Sequence, residues 1–145
     1  MNAQNKDYLM ELKGEHKIVG RLIEEIKGLI QKKDAQGIAA HMGTLKSGLL
    51  VHLKKEDDKL YRDLLQEAKD KNLELVTITV NTFSTAMKGI AARILRFFDK
   101  YPNKDEIIKH VAEFNGDFQG VYEDILKRVN NEETVLYPMY EKHCC

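Results

Sequence analysis

The stretch His52-Leu53-Lys54-Lys55-Glu56-Asp57-Asp58-Lys59-Leu60-Tyr61 decides the fold, because on a helix it sets an imidazole and a carboxylate one turn apart on the same face. The flanks continue that face in apolar residues: Met42, Leu45 and Leu49 before it, Leu60 and Leu64 after it. This is the spacing of a buried helical seam, so His52 and Glu56 stand where leucine is expected. Buried without partners, the two groups would be strongly destabilising. The pattern therefore demands a metal ion, a counter-charge or a hydrogen-bond network.

The same three-and-four spacing runs outward through the whole chain, which contains only two prolines. A first helix is expected from about Asn5 to Lys33, with Leu9, Leu12, Val19, Ile23, Ile26 and Ile30 on one face and His16 interrupting them. The short connection Asp34-Ala35-Gln36-Gly37 reverses the chain into a second helix reaching about Lys69, which makes the two antiparallel neighbours. His16 and His52 each lie about eighteen residues from that turn, so at ~1.5 Å per residue they arrive at the same height on facing helices.

The third helix is expected to begin near Asn72, read as an N-cap. The β-branched run from Leu75 to Val80 would by propensity also suit a strand. The seam Leu73, Val76, Val80, Phe83, Met87, Ile90, Ile94, Phe97 and Tyr101 is far too long for one. Pro102 ends this helix, and the capping box Asn103-Lys104-Asp105-Glu106 opens the next element. From there Ile107, Val111, Phe114, Phe118, Val121, Ile125, Val135 and Met139 carry the seam, interrupted by Arg128 and Glu132. One unbroken helix from Asn103 would leave Arg128 ~15 Å out of level with Met87. A short helix from Asn103 to Phe114 and a restart at Asn115-Gly116-Asp117, with Asn115 as N-cap, removes the mismatch. The expected fold is all-α: an antiparallel up-down four-helix bundle with a short extra helix between helices three and four, forming a single domain over residues 1–145.

The stretch Arg128-Val129-Asn130-Asn131-Glu132-Glu133-Thr134-Val135-Leu136-Tyr137-Pro138 repeats the spacing of the opening one. Glu56, Leu60 and Tyr61 recur as Glu132, Leu136 and Tyr137, Arg128 stands for His52, and Met87 lies at the height His16 holds in the first hairpin. His16, His52-x-x-x-Glu56 with Leu60-Tyr61, and Glu132 with Leu136-Tyr137-Pro138 make the chain resemble the hemerythrin-like HHE cation-binding domains over nearly its whole length. The resemblance implies a four-helix bundle in which complete members hold a di-iron centre that binds dioxygen, nitric oxide or peroxide. It departs from the family pattern at two histidine positions, where Met87 and Arg128 stand.

Non-haem iron takes imidazole and carboxylate ligands, so His16, His52, Glu56 and Glu132 are expected to support one ion rather than two. Arg128, Met87, Tyr61 and Tyr137 are expected in the polar core around them. Arg128 also offers a metal-free alternative, its guanidinium pairing with Glu132 and reaching toward Glu56. His41 is three turns from His52 and is expected to be satisfied locally; His110 is expected at the surface. The pair Cys144-Cys145 cannot staple the fold and is expected in a frayed terminus, with His143 beside it.

The chain has 145 residues, 43% of them hydrophobic, with 23 basic and 23 acidic side chains. That balance argues against a nucleic-acid surface or a basic membrane-binding face. No apolar run reaches membrane-spanning length, and residues 1–7 lack the layout of a signal peptide, so a cytoplasmic protein is expected. No nucleophile is paired with a base and no phosphate loop appears, so an enzyme is not expected. Two functions remain open on these residues: a metal or small-ligand binding and sensing module, or a metal-free regulatory protein docking a partner not named by the sequence.

Overall fold

The computed structural model describes residues 2–145, and all of its regular structure is helical. Helix α1 spans Ala3–Gln31 and α2 spans Ala35–Lys55. The second rod continues through a π-helical turn, Glu56–Leu60, into α3, Tyr61–Lys71. Helix α4 spans Glu74–Lys100, the short α5 spans Lys104–Lys109, and α6 runs over Val111–Asn131. A second π-turn, Glu132–Leu136, joins α6 to α7, Tyr137–Cys144. Four antiparallel rods form the bundle, with α1 beside α2, α4 against α3 and α6, and α5 across one end against α2.

The caps follow local chemistry. Asn2, Asp34 and Asn103 each accept a backbone N–H three residues on, from Asn5, Gly37 and Glu106. Asn72 does not N-cap the third rod as expected: it lies at φ 55°, ψ 47° and closes α3, where asparagine tolerates the left-handed conformation. The break before the last rod is also displaced. It falls at His110, not within a few residues of Asn115, which sits inside α6. The reason is packing: Phe114 and Phe118 are both buried with their rings stacked at 5.9 Å, so the helix must already be formed there. Asn115 and Gly116 face outward, where nothing forces a break. Val111, just past the break, is exposed rather than in the seam.

Both π-turns begin at a glutamate. The inward positions His52, Glu56, Leu60 and Leu64 are four apart, and each such step carries an α-helical face about 40° further round. A π-turn absorbs that drift, which keeps Glu56, Leu60 and Leu64 all buried. In the last rod the same turn moves the seam by one residue: Leu136 and Tyr140 are buried, while Val135 is exposed and Met139 only partly covered, against expectation.

Two apolar clusters fill the bundle. One joins Val19, Ile23, Leu45, Ile94, Phe97, Phe114 and Ile125. The other joins Leu9, Leu12, Leu60, Leu64, Val80, Leu136 and Tyr140. Between them lies a layer of buried polar side chains, His16, His52, Glu56, Arg128 and Glu132. Among the described residues no helix is long and apolar enough to cross a membrane.

Candidate metal centre

Each rod but one delivers a polar group to this layer: α1 gives His16, the second rod His52 and Glu56, and the last rod Arg128 and Glu132. The remaining rod, α4, gives Met87. His16, His52, Glu56 and Glu132 each present a ligand atom, and these atoms all lie within 4.8 Å of one another. His16 Nε2 is 3.1 Å from His52 Nε2 and 3.0 Å from Glu132 Oε1. His52 Nε2 is 3.3 Å from Glu56 Oε2. The four residues singled out in the sequence thus converge.

Behind them stands a shell that periodicity did not reveal. His16 Nδ1 donates to Glu133 at 3.1 Å, and His52 Nδ1 donates to Glu15 at 2.8 Å. Glu15 is in turn held by Lys55, which also reaches Glu11 at 2.7 Å. These carboxylates fix the rings and turn both Nε2 atoms inward. Glu15 and Glu133 sit beside site residues in sequence but off the seam, and there a charged residue reads as a solvated face. Tyr137 donates to Glu56 Oε2 at 2.8 Å and stacks on His16 at 5.2 Å. Tyr61 is buried with its hydroxyl free of a hydrogen-bond partner.

Arg128 is buried, but not in the way expected of a metal substitute. Its Nη2 donates to the Phe83 carbonyl at 2.7 Å and its guanidinium lies 4.2 Å from the Phe83 ring centroid. Its nearest carboxylate oxygen, Glu132 Oε2, stands 3.7 Å from Nε, and no ion pair joins Arg128 to Glu56. The pairing is loose because α4 captures the fork. Met87 is 8% exposed and lines a cavity of about 30 Å³ with His16, His52, Arg128, Glu132 and a wall of aliphatic side chains.

The electrostatics are those of a crowded acid–base cluster. Burial opposes charge on His52, yet contacts with Glu132, Glu56 and Glu15 carry its pKa up to about 10. Burial pushes Glu56 up, aided by the charge of Glu132, whereas hydrogen bonds from His16 and His52 overcome burial and hold Glu132 down. One carboxyl is thus poised to keep a proton and the other to stay ionised.

These residues fit one metal ion. Two neutral imidazoles steered by Nδ1 donors would set two Nε2 lone pairs against each other at 3.1 Å, a contact that a proton or a cation relieves. Glu56 Oε1 and Glu132 Oε2 are buried without a hydrogen-bond partner. Met87 and the Arg128 guanidinium, which complete the lining of the cavity, add neither an imidazole nor a carboxylate to that donor set.

The other candidates fall outside this layer. His41 bonds the Gly37 carbonyl at 2.9 Å and meets Glu25 at 3.0 Å, a local arrangement as expected. His110 is half exposed at the helix break. The tail is not frayed: α7 runs to Cys144, whose carbonyl accepts from Asn5 at 2.7 Å, and both cysteines pack on the second apolar cluster. Burial pushes the Cys144 thiol up to about 12.

Neither the curated proteins nor the solved structures contain a match to the chain. The family description "Hemerythrin HHE cation binding domain" does match, over residues 7–140. With the bundle and its converging histidines and glutamates, that match identifies the chain as a member of the hemerythrin HHE cation-binding domain family.

Proposed function

We propose that this protein is a metal-binding module, binding or sensing a small ligand rather than acting as an enzyme, with one ion held by His16, His52, Glu56 and Glu132. Iron is the metal favoured by the family and by a donor set of two imidazoles and two carboxylates. The observation that carries this reading is the burial of four converging ligand atoms beside two carboxylate oxygens that lack a hydrogen-bond partner. Buried polar atoms are normally satisfied, and a cation would satisfy both. When bound, iron supplies a Lewis acid and a one-electron couple. The chain supplies the rest: Glu15 and Glu133 orient the imidazoles, Tyr137 orients the Glu56 carboxylate by donating to its Oε2, and the aliphatic wall of the cavity excludes water.

The metal-free alternative, in which Arg128 replaces the ion, draws less support, because Arg128 spends its hydrogen bond on Phe83, meets Glu132 Oε2 only at 3.7 Å and leaves Glu56 Oε1 without a partner. Anaerobic loading with iron(II), followed by metal analysis and desalting, separates the two. One iron per chain, lost in His16→Ala and His52→Ala, is the expected result. A chain that emerges metal-free would overturn the single-ion reading and favour the Arg128 alternative.

A further inference from the structure

Helix α4 turns an uncharged face to solvent. Residues 75–87 include no charged side chain, in a chain that is 32% charged. Other rods lace their outer faces with ion pairs one turn apart, such as Lys54 with Asp58 and Lys71 with Glu67. On α4 the outermost positions instead follow alternating three and four spacing, Leu75, Ile78, Thr82, Thr85, Gly89 and Ala92, and all of them are exposed. Leu75 is 78% exposed and Ile78 53%. The core contacts of this helix come from Val76, Val80, Met87 and Ile94, so the exposed row is a second seam on the opposite side. The Thr82 hydroxyl donates to the Ile78 carbonyl at 2.8 Å, which means that covering this residue strands no donor.

The flank of this seam specifies what covers it. Glu74, Asn81 and Lys88 follow one another at heptad spacing along one side, all exposed, and among the described residues no hydrogen bond or ion pair engages their side chains. Glu74 and Lys88 stand seven residues either side of Asn81, about 10 Å along the helix. A twofold axis at Asn81 that reverses the helix therefore brings Glu74 level with Lys88 of a second copy, and Lys88 level with its Glu74, while the two Asn81 amides meet on the axis. The same operation sets the large end of the seam, Leu75 and Ile78, against the small end, Thr85 and Gly89, of the other copy. That end is open: a Cβ on Gly89 would meet only Arg93 Nη1, at 3.9 Å. A parallel pairing would oppose like charges and set large residues against large ones.

We propose that the outer face of α4 is a docking surface for a second copy of this chain, packed antiparallel about a twofold axis at Asn81. The contact is about four helical turns long, at the low end of specific interfaces, so the dimer is expected to dissociate on the order of 10 μM. With 23 basic and 23 acidic side chains, the two copies meet without net repulsion.

Sedimentation velocity of the full chain from about 1 to about 300 μM tests this, the range bracketing the expected Kd. A monomer–dimer equilibrium is expected; a chain that stays monomeric throughout, or one that grows past the dimer into open oligomers, overturns the proposal. Ile78→Asp should weaken the dimer by about tenfold or more, whereas Met10→Asp, at a 69% exposed position on α1, should leave it unchanged. Exchange of the flanking charges reads the register. Glu74→Lys alone and Lys88→Glu alone should each weaken self-association by about fivefold or more at low salt, because like charges then face each other at both ends. An equimolar mixture of the two variants should associate within about twofold of wild type, since each chain meets in the other the charge that it lacks in itself. Self-association unmoved by Ile78→Asp, or a mixture that associates no better than either variant alone, overturns the proposal. None of these side chains lines the cavity of the metal centre, so that failure would leave the single-ion reading standing.

Discussion

His16 and His52 meet tip to tip, their Nε2 atoms 3.1 Å apart, and each ring is braced from behind by a carboxylate, Glu133 on His16 and Glu15 on His52. The braces are unequal. Glu15 is 22% exposed and backed by Lys55; Glu133 is 42% exposed with solvent as its other partner. Carboxylates in this position typically govern metal affinity by about 10- to 100-fold. Glu15→Gln is therefore expected to weaken metal binding by about that range, and Glu133→Gln by less, in competition with a chromophoric chelator. Equal affinities for wild type and Glu15→Gln would remove the brace from the site's design.

The metal-free chain should lose stability as the pH rises. Burial opposes the charged form of His52, but Glu132, Glu56 and Glu15 overcome it and lift the pKa from 6.5 to about 10. A folded-state pKa raised in this way contributes stability that is full below the unfolded value and lost as the pH climbs through the folded one. The urea midpoint of chelator-treated protein is expected to fall from about pH 7 to about pH 10, with most of the slope removed in His52→Gln. Metal binding carries the opposite sign, since it must displace the same proton. A midpoint that rises over this window would place a neutral imidazole at His52.

The sequence carried the seam and the four converging side chains because both obey a helical period. What it hid departs from that period. A π-turn is invisible to a 3.6-residue template, so Val135 and Met139 were placed in a seam that Leu136 and Tyr140 occupy. Asn72 and Asn115 are chemically able to cap, but the aromatic packing of Phe114 and Phe118 decides where α6 begins, and that is a tertiary fact. Arg128 was legible as buried, and its partner was not: the Phe83 carbonyl belongs to a helix about forty-five residues away, and no local pattern encodes that contact.

Arg128→Ala tests how much of the fold depends on that contact. The substitution removes a charge-assisted hydrogen bond to Phe83 and a cation–π contact at 4.2 Å, and leaves Glu132 Oε2 without its nearest cation. Together these should cost about 2–4 kcal/mol of unfolding free energy in the metal-free chain. A loss below about 1 kcal/mol would mean that Phe83 and Arg128 do not hold each other in solution.

The final prediction concerns what keeps the first π-turn open. The Tyr8 hydroxyl enters the turn from α1, donating to the Lys55 carbonyl at 2.6 Å and accepting from the Leu60 amide at 3.1 Å. It therefore bridges a donor and an acceptor that the change of register separates, in the turn that begins at Glu56, whose inward direction depends on that register. Tyr8→Phe removes the bridge and keeps the ring, which packs edge-on against Tyr140 at 5.8 Å. The expected cost is about 1–3 kcal/mol, the penalty of two backbone groups losing a shared partner. Hydrogen exchange should quicken at the Leu60 amide more than at Leu136, the matching position of the second turn, and metal affinity should fall as Glu56 loses its bearing. Unchanged exchange at Leu60 together with wild-type metal affinity would show that the turn holds its shape on the strength of the buried Leu60 and Leu64 alone.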